Sequence, residues 1–142
     1  MAGEIVLGYD DSEGAKTALP HAVDLARAFA APLVVVFAYG QNPVGGVTGD
    51  VRRAVEETGE GMLEAARAAA VAYDPSVEVV TELVDGRPVD GLIEVARRRG
   101  ARILVVGGNG HGSIVGSLLG SSTYKVLHQS TIPVLVVQPP DR

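Results

Sequence analysis

Short apolar runs recur along the chain, each closed off by glycine, proline or a polar residue. Ile5, Val6 and Leu7 lie between Glu4 and Gly8, LVVVFAY begins at Leu33, ILVV at Ile103 and VLVV at Val134. Runs this short, rich in Val and Ile and without alternation, suit strands buried on both faces. In residues 77–84, Val77, Val79 and Thr81 alternate with Glu78, Val80 and Glu82, and Leu83 and Val84 follow. That alternation predicts a half-exposed strand nearer a sheet edge.

The intervening stretches carry helical spacing instead. Ala15, Ala18, Leu19, Ala22, Ala26 and Phe29 form one apolar face behind an N-cap at Ser12 or Asp11. Pro20 falls inside that pattern, where a proline costs about 3 kcal/mol and predicts a bend. Residues 40–50, rich in Gly, Asn and Thr with Pro43, cannot build a core and read as a mobile loop able to cover a site. A second helix over residues 51–73 sets Met62, Ala66, Ala69 and Tyr73 on one side, with Gly59 and Gly61 weakening its first half. The turn Asp85-Gly86-Arg87-Pro88 places Pro88 at the start of a third helix with the stripe Val89, Leu92, Ile93 and Ala96. Arg97, Arg98 and Arg99 then complement its C-terminal dipole as a solvated helix end, and Gly100 stops it. A last helix runs to about Gln129. Strands and helices alternating in this way predict an α/β fold, a doubly wound five-stranded parallel sheet with helices on both faces. The expectation is a single domain over residues 1–142.

Composition narrows the chemistry. With hydrophobic residues at 46% but aromatics at 4%, the core must be aliphatic. The formal charge of -5 leaves no basic footprint for nucleic acid or an anionic membrane, so a phosphate ligand must be held by backbone dipoles or a cation. The absence of cysteine excludes disulfides, zinc thiolates and thiol catalysis and fits a cytoplasmic location. No signal peptide or membrane span is expected, the apolar runs being far too short.

The stretch ILVVGGNGHGSIVGSLLGSSTYKVLHQ, from Ile103, is a strand, a glycine-crowded loop and a helix in succession. Such a junction aims N–H groups and a helix N-terminus at one spot, which suits an anion and most simply the phosphates of a nucleotide. A Walker A loop fails because Gly112 is followed by Ser113 rather than lysine. A dinucleotide fingerprint is approached by Gly110, Gly112 and Gly116, but it should follow the first strand, and no acid appears downstream before Asp141. The third reading is Gly107-xx-Gly110-x9-Gly120-Ser121. Together with Asp10 at the end of the first strand, Ala38, the Gly86-x-Pro88 turn and the closing IPVLVV, it makes the whole chain resemble the universal stress protein family, ATP-binding type. The resemblance implies a Rossmann-like sheet with strand order 3-2-1-4-5, ATP as ligand, a role as a stress-response switch or binding module, and a homodimer paired through Val134, Leu135, Val136 and Val137.

The candidate site follows residue by residue. Gly107 and Gly110 permit positive φ and close approach of phosphate oxygens, and Gly112 belongs to the same loop. Gly120 clears space, Ser121 and Ser122 cap the last helix while offering hydroxyls and N–H groups, and Ala38 enters the adenine pocket. A carboxylate about 4 Å from a phosphate charge is opposed by roughly 4 kcal/mol at an effective dielectric near 20. Asp10 should therefore bind ribose hydroxyls or share a Mg²⁺ with the phosphates. Asp11 departs from the family, which usually carries glycine or another small or apolar residue there, and its expected role is to cap the first helix. His111 stands where many relatives have a basic residue, so ATP binding is expected to strengthen as its imidazole protonates. No nucleophile and base stand as a pair, which favours a binding protein. A nucleotide-free dimeric scaffold and a slow ATP hydrolase or nucleotide transferase remain the alternatives.

Overall fold

A computed structural model describes residues 3–40, 49–108 and 121–139. Strands β1 (Ile5–Gly8), β2 (Leu33–Tyr39), β3 (Val79–Asp85), β4 (Ile103–Gly107) and β5 (Val134–Val137) form one sheet in the order β3-β2-β1-β4-β5. Every pairing is parallel. The four helices are α1 (Glu13–Ala28), α2 (Gly49–Tyr73), α3 (Pro88–Arg98) and α4 (Ser121–Gln129). The predicted order and the half-exposed edge position of β3 are both present.

Side-chain alternation along each strand splits the core into two layers. Ile5, Leu7, Leu33, Val35 and Val105 face α1 and α2, where they meet Ala18, Ala22, Leu63, Ala66 and Ala70. Val6, Val34, Val36, Leu104 and Val106 face α3 and α4, against Leu92, Val95, Ala96 and Val126. Each of the fully buried valines and leucines contributes roughly 1.5–3 kcal/mol by leaving water. The central strands are apolar on both faces for this reason, and their unbroken apolar runs were the signal.

Several local expectations change. Ser12, not Asp11, caps α1: its hydroxyl accepts from the Ala15 N–H at 3.2 Å. Asp11 instead sits at φ 62°, in the left-handed region. Pro20 does not end α1, which runs from Glu13 to Ala28. Helix α2 begins at Gly49, so the loop predicted over 40–50 is shorter at that end, and residues 41–48 lie outside the described residues. The buried stripe of α2 is Gly59, Leu63, Ala66 and Ala70, while Ala69 and Tyr73 are exposed. An alanine-rich helix carries too little asymmetry to fix its face, and Tyr73 is drawn outward to bond Asp24 at 3.0 Å. Gly59 also packs closely, since a Cβ there would stand 2.8 Å from the Leu83 side chain.

The arginine triplet is not simply a solvated end. Arg99, only 23% exposed at its side chain, bonds Glu82 at 2.8 Å and both carboxylate oxygens of Glu4 at 3.1 Å. Arg98 also pairs with Glu82. The cluster joins the start of β1, the middle of β3 and the end of α3, across from the strand ends considered next. Arg97, with its side chain 71% exposed, fits the original reading, and Gly100 at φ 61° ends the helix as expected.

Candidate nucleotide site

Strand lengths create the opening. β1 stops at Gly8 opposite Val36, whereas β2 runs on through Phe37, Ala38 and Tyr39, paired only with Leu83, Val84 and Asp85 of β3. The Tyr9 N–H still reaches the Val36 carbonyl at 2.8 Å, and the positive φ of Asp11 then turns the chain into α1. Main-chain groups alternate in direction along a strand. Val36 points to the β1 side, and Tyr39, whose carbonyl accepts from Gly86 at 3.1 Å, points to the β3 side. Ala38 therefore presents its N–H and C=O to the β1 side, beyond the last residue of β1.

On that side lies a cleft with about 610 Å³ of empty space, open solvent at its mouth included. Ala38, Pro88, Val89 and Leu92 line its apolar end, and Asp10, Gly107 and Ser122 its polar end. It lies at the carboxyl ends of the strands, between β1 and β4, where helices leave for opposite faces. Closeness of α3 to β2 sets the apolar wall: a Cβ at Gly91 would lie 2.9 Å from the Ala38 Cβ. Gly8 is similarly confined by Leu92, at 2.6 Å from a hypothetical Cβ.

Asp10 is fixed by accepting from the Ser12 N–H at 3.1 Å, which keeps a carboxylate at the entry to α1. Beside it, the buried Tyr9 phenol is pushed above its usual range by burial, then by the Asp11 and Asp10 carboxylates. Gly107 does not have the positive φ expected of it. Among the described glycines only Gly100 has positive φ, and a Cβ at Gly107 would stand 2.5 Å from the Gly14 carbonyl carbon of α1. Glycine is needed there because two backbones touch. Thr123, buried and not singled out from the sequence, donates to the Gly107 carbonyl at 2.6 Å and so ties the start of α4 to the end of β4. The hydroxyl run Ser121-Ser122-Thr123 was its visible signal.

Ser121 and Ser122 lie inside α4 rather than before it, and Ser122 faces the cleft. The first N–H groups of a helix have no intrahelical acceptor, so this end suits an anion. Gly110, His111, Gly112 and Gly120 lie outside the described residues. Asp10, Ala38, Gly107 and Ser122 are thus brought to one cleft from four separate parts of the chain. Among the described residues, no group of three or more His, Cys, Asp or Glu could hold a metal ion, and no helix is long and apolar enough to cross a membrane.

A family model described as the universal stress protein family matches residues 1–138. The chain belongs to the universal stress protein family. A universal stress protein from Thermus aquaticus is 35% identical over 97% of this chain and 100% of its own length. One from Methanocaldococcus jannaschii is 26% identical over 98% of this chain and 84% of its own. One from Mycolicibacterium smegmatis is 33% identical over 95% of this chain, which spans only 45% of that longer relative. Among solved structures, a universal stress protein in complex with cAMP is 30% identical, with a TM-score of 0.76 over 96% of this chain and 98% of its own. A universal stress protein from Archaeoglobus fulgidus in complex with dAMP, 19% identical over 96% of this chain and 98% of its own, shares the fold at a TM-score of 0.70.

Proposed function

We propose that this universal stress protein is an adenine mononucleotide binding module, with ATP the expected ligand, acting as a nucleotide-dependent switch in a stress response. The observation that carries the reading is the open main-chain edge of Ala38 beside an apolar wall, with Asp10 and the start of α4 at the other end of one cleft. A neighbouring N–H and C=O complement adenine, whose Watson–Crick edge offers N1 as acceptor and the N6 amine as donor. In the same pose guanine presents the reverse pattern and leaves buried polar groups unpaired. Pro88, Val89 and Leu92 would cover the base, Asp10 would accept from ribose hydroxyls, and the α4 N-terminus with the glycine loop would take the phosphates. A 30% identical universal stress protein in complex with cAMP supports an adenine nucleotide as the ligand class.

In this reading Asp10 would accept from the ribose hydroxyls, its carboxylate held at the entry to α1 by the Ser12 N–H. A Mg²⁺ shared between Asp10 and the phosphates would neutralise the repulsion between them and would show as a Mg²⁺ requirement. We propose further that the protein is a homodimer paired through the β5 edge, where Leu135 of β5 and Tyr124 and Leu127 of α4 are exposed apolar side chains.

Calorimetric titration of the purified chain with ATP and GTP, with and without Mg²⁺, is the test. ATP should bind at micromolar concentration, GTP more weakly, and Asp10→Ala should lower ATP affinity about tenfold or more, the loss of a charged hydrogen bond worth ~1.5–3 kcal/mol. No binding of ATP would favour the nucleotide-free scaffold, and rapid turnover would favour the enzyme.

A further inference from the structure

The overhanging end of β2 is supported by β3 on one side only, so whatever stiffens it also stiffens the Ala38 edge. A polar brace does this from the opposite face of the sheet. The buried stripe of α2 reads Gly59, Leu63, Ala66 and Ala70, and carried back one and two turns it reaches Glu56 and Arg52. Where the stripe would continue apolar, it carries charge. The Tyr39 hydroxyl donates to Glu56 Oε1 at 3.1 Å, the Arg52 Nε donates to the same oxygen at 3.3 Å, and an Arg52 terminal nitrogen pairs with Asp85 Oδ2. Tyr39 and Asp85 are register partners, the last residues of β2 and β3, and they follow Ala38 and Val84 directly. One arginine therefore gathers the ends of both overhanging strands onto the first turns of α2. Asp85 also opens the turn that leads to Pro88, the other wall of the cleft.

We propose that Arg52, with Tyr39 and Glu56, is a positioning element for base recognition, holding the Ala38 main-chain edge and the Pro88 turn at the spacing an adenine ring needs. It rests on the nucleotide reading above. Tyr39 alternates with Ala38, so its side chain contacts α2 while Ala38 faces α3, and the brace never touches ligand. Removing Arg52 also takes away the cation that links the Glu56 and Asp85 carboxylates, and with it the attraction that draws the strand ends to α2. Loosening the edge should weaken adenine contacts while leaving those to ribose and phosphate, which sit at the other end of the cleft.

The full-length chain and its Arg52→Met, Tyr39→Phe and Arg52→Lys variants should be titrated with ATP and with GTP, and their melting followed in parallel. The expected result is ATP affinity lowered about five-fold in Arg52→Met, the scale of a small ion-pair network, with GTP affinity little changed. The ATP-to-GTP preference would then fall by a similar factor, Tyr39→Phe would move in the same direction, and Arg52→Lys would recover part of it. The proposal is overturned if Arg52→Met and Tyr39→Phe match the parent protein, or if ATP and GTP weaken together along with melting temperature, which would make the brace a matter of general stability. A parent protein that binds ATP and GTP equally would overturn the base-reading role alone. One that binds neither would overturn the nucleotide reading itself and this inference with it.

Discussion

Asp11 illustrates how one backbone angle connects sequence to site. At φ 62° it holds a conformation that costs a side-chain-bearing residue roughly 1–2 kcal/mol relative to glycine. Its partial compensation is a 3.8 Å ion pair with Lys16, half exposed on both sides and worth little. Asp11→Gly should therefore raise stability by about 1 kcal/mol, read as a higher urea midpoint with unchanged slope. A lowered midpoint would mean that the carboxylate contributes more than the strain. The same angle would suit glycine at this position, a constraint invisible from the residue type alone. Gly107 teaches the complementary lesson. Its glycine was legible as a demand for closeness, but what lies close is the first turn of α1, which belongs to a distant part of the sequence.

At the scale of elements, periodicity and punctuation located strands and most helix limits because buried parallel strands have only one way to look in sequence. Faces of helices were less legible. Leu63 rather than Met62 leads the buried side of α2, and the glycine at 59 is where the helix nears Phe37 and Leu83. Charges were least legible, since an arginine's partner can lie anywhere: Arg99 meets Glu4 ninety-five residues away. Because Arg99, Glu4 and Glu82 are each mostly buried at the side chain, Arg99→Ala should destabilise by about 2–3 kcal/mol, somewhat less than breaking a fully buried pair. Arg97→Ala, on the solvent side of the same helix, should change stability by less than about 0.5 kcal/mol. Chemical denaturation of the two variants compares them directly, and equal losses would assign the cluster to the surface.

For the whole molecule, the sheet has ends of different character. The Arg99 cluster ties the start of β1 to the middle of β3 and the end of α3, while the carboxyl ends open into the cleft. Residues that meet there come from the ends of β1, β2 and β4 and the start of α4, so the sequence could name Asp10, Ala38, Gly107 and Ser122 through family resemblance, while only the sheet order explains why they converge. The proposed dimer is tested at this scale. Leu135→Lys puts a charge on an exposed position of the edge strand and should shift the sedimentation coefficient from dimer to monomer without changing the melting of the isolated fold greatly. A parent protein that sediments as a monomer would remove the β5 pairing.

The early stop of β1 has a consequence for size. Three residues of β2 outrun it, and at ~3.3 Å per residue they leave a notch ~10 Å long, enough to admit the edge of a purine base. The difference in strand length thus acts as a ruler. On the proposed reading the base would enter this notch while the ribose led across it towards Asp10, and adding residues to β1 before Asp11 would shorten the gauge.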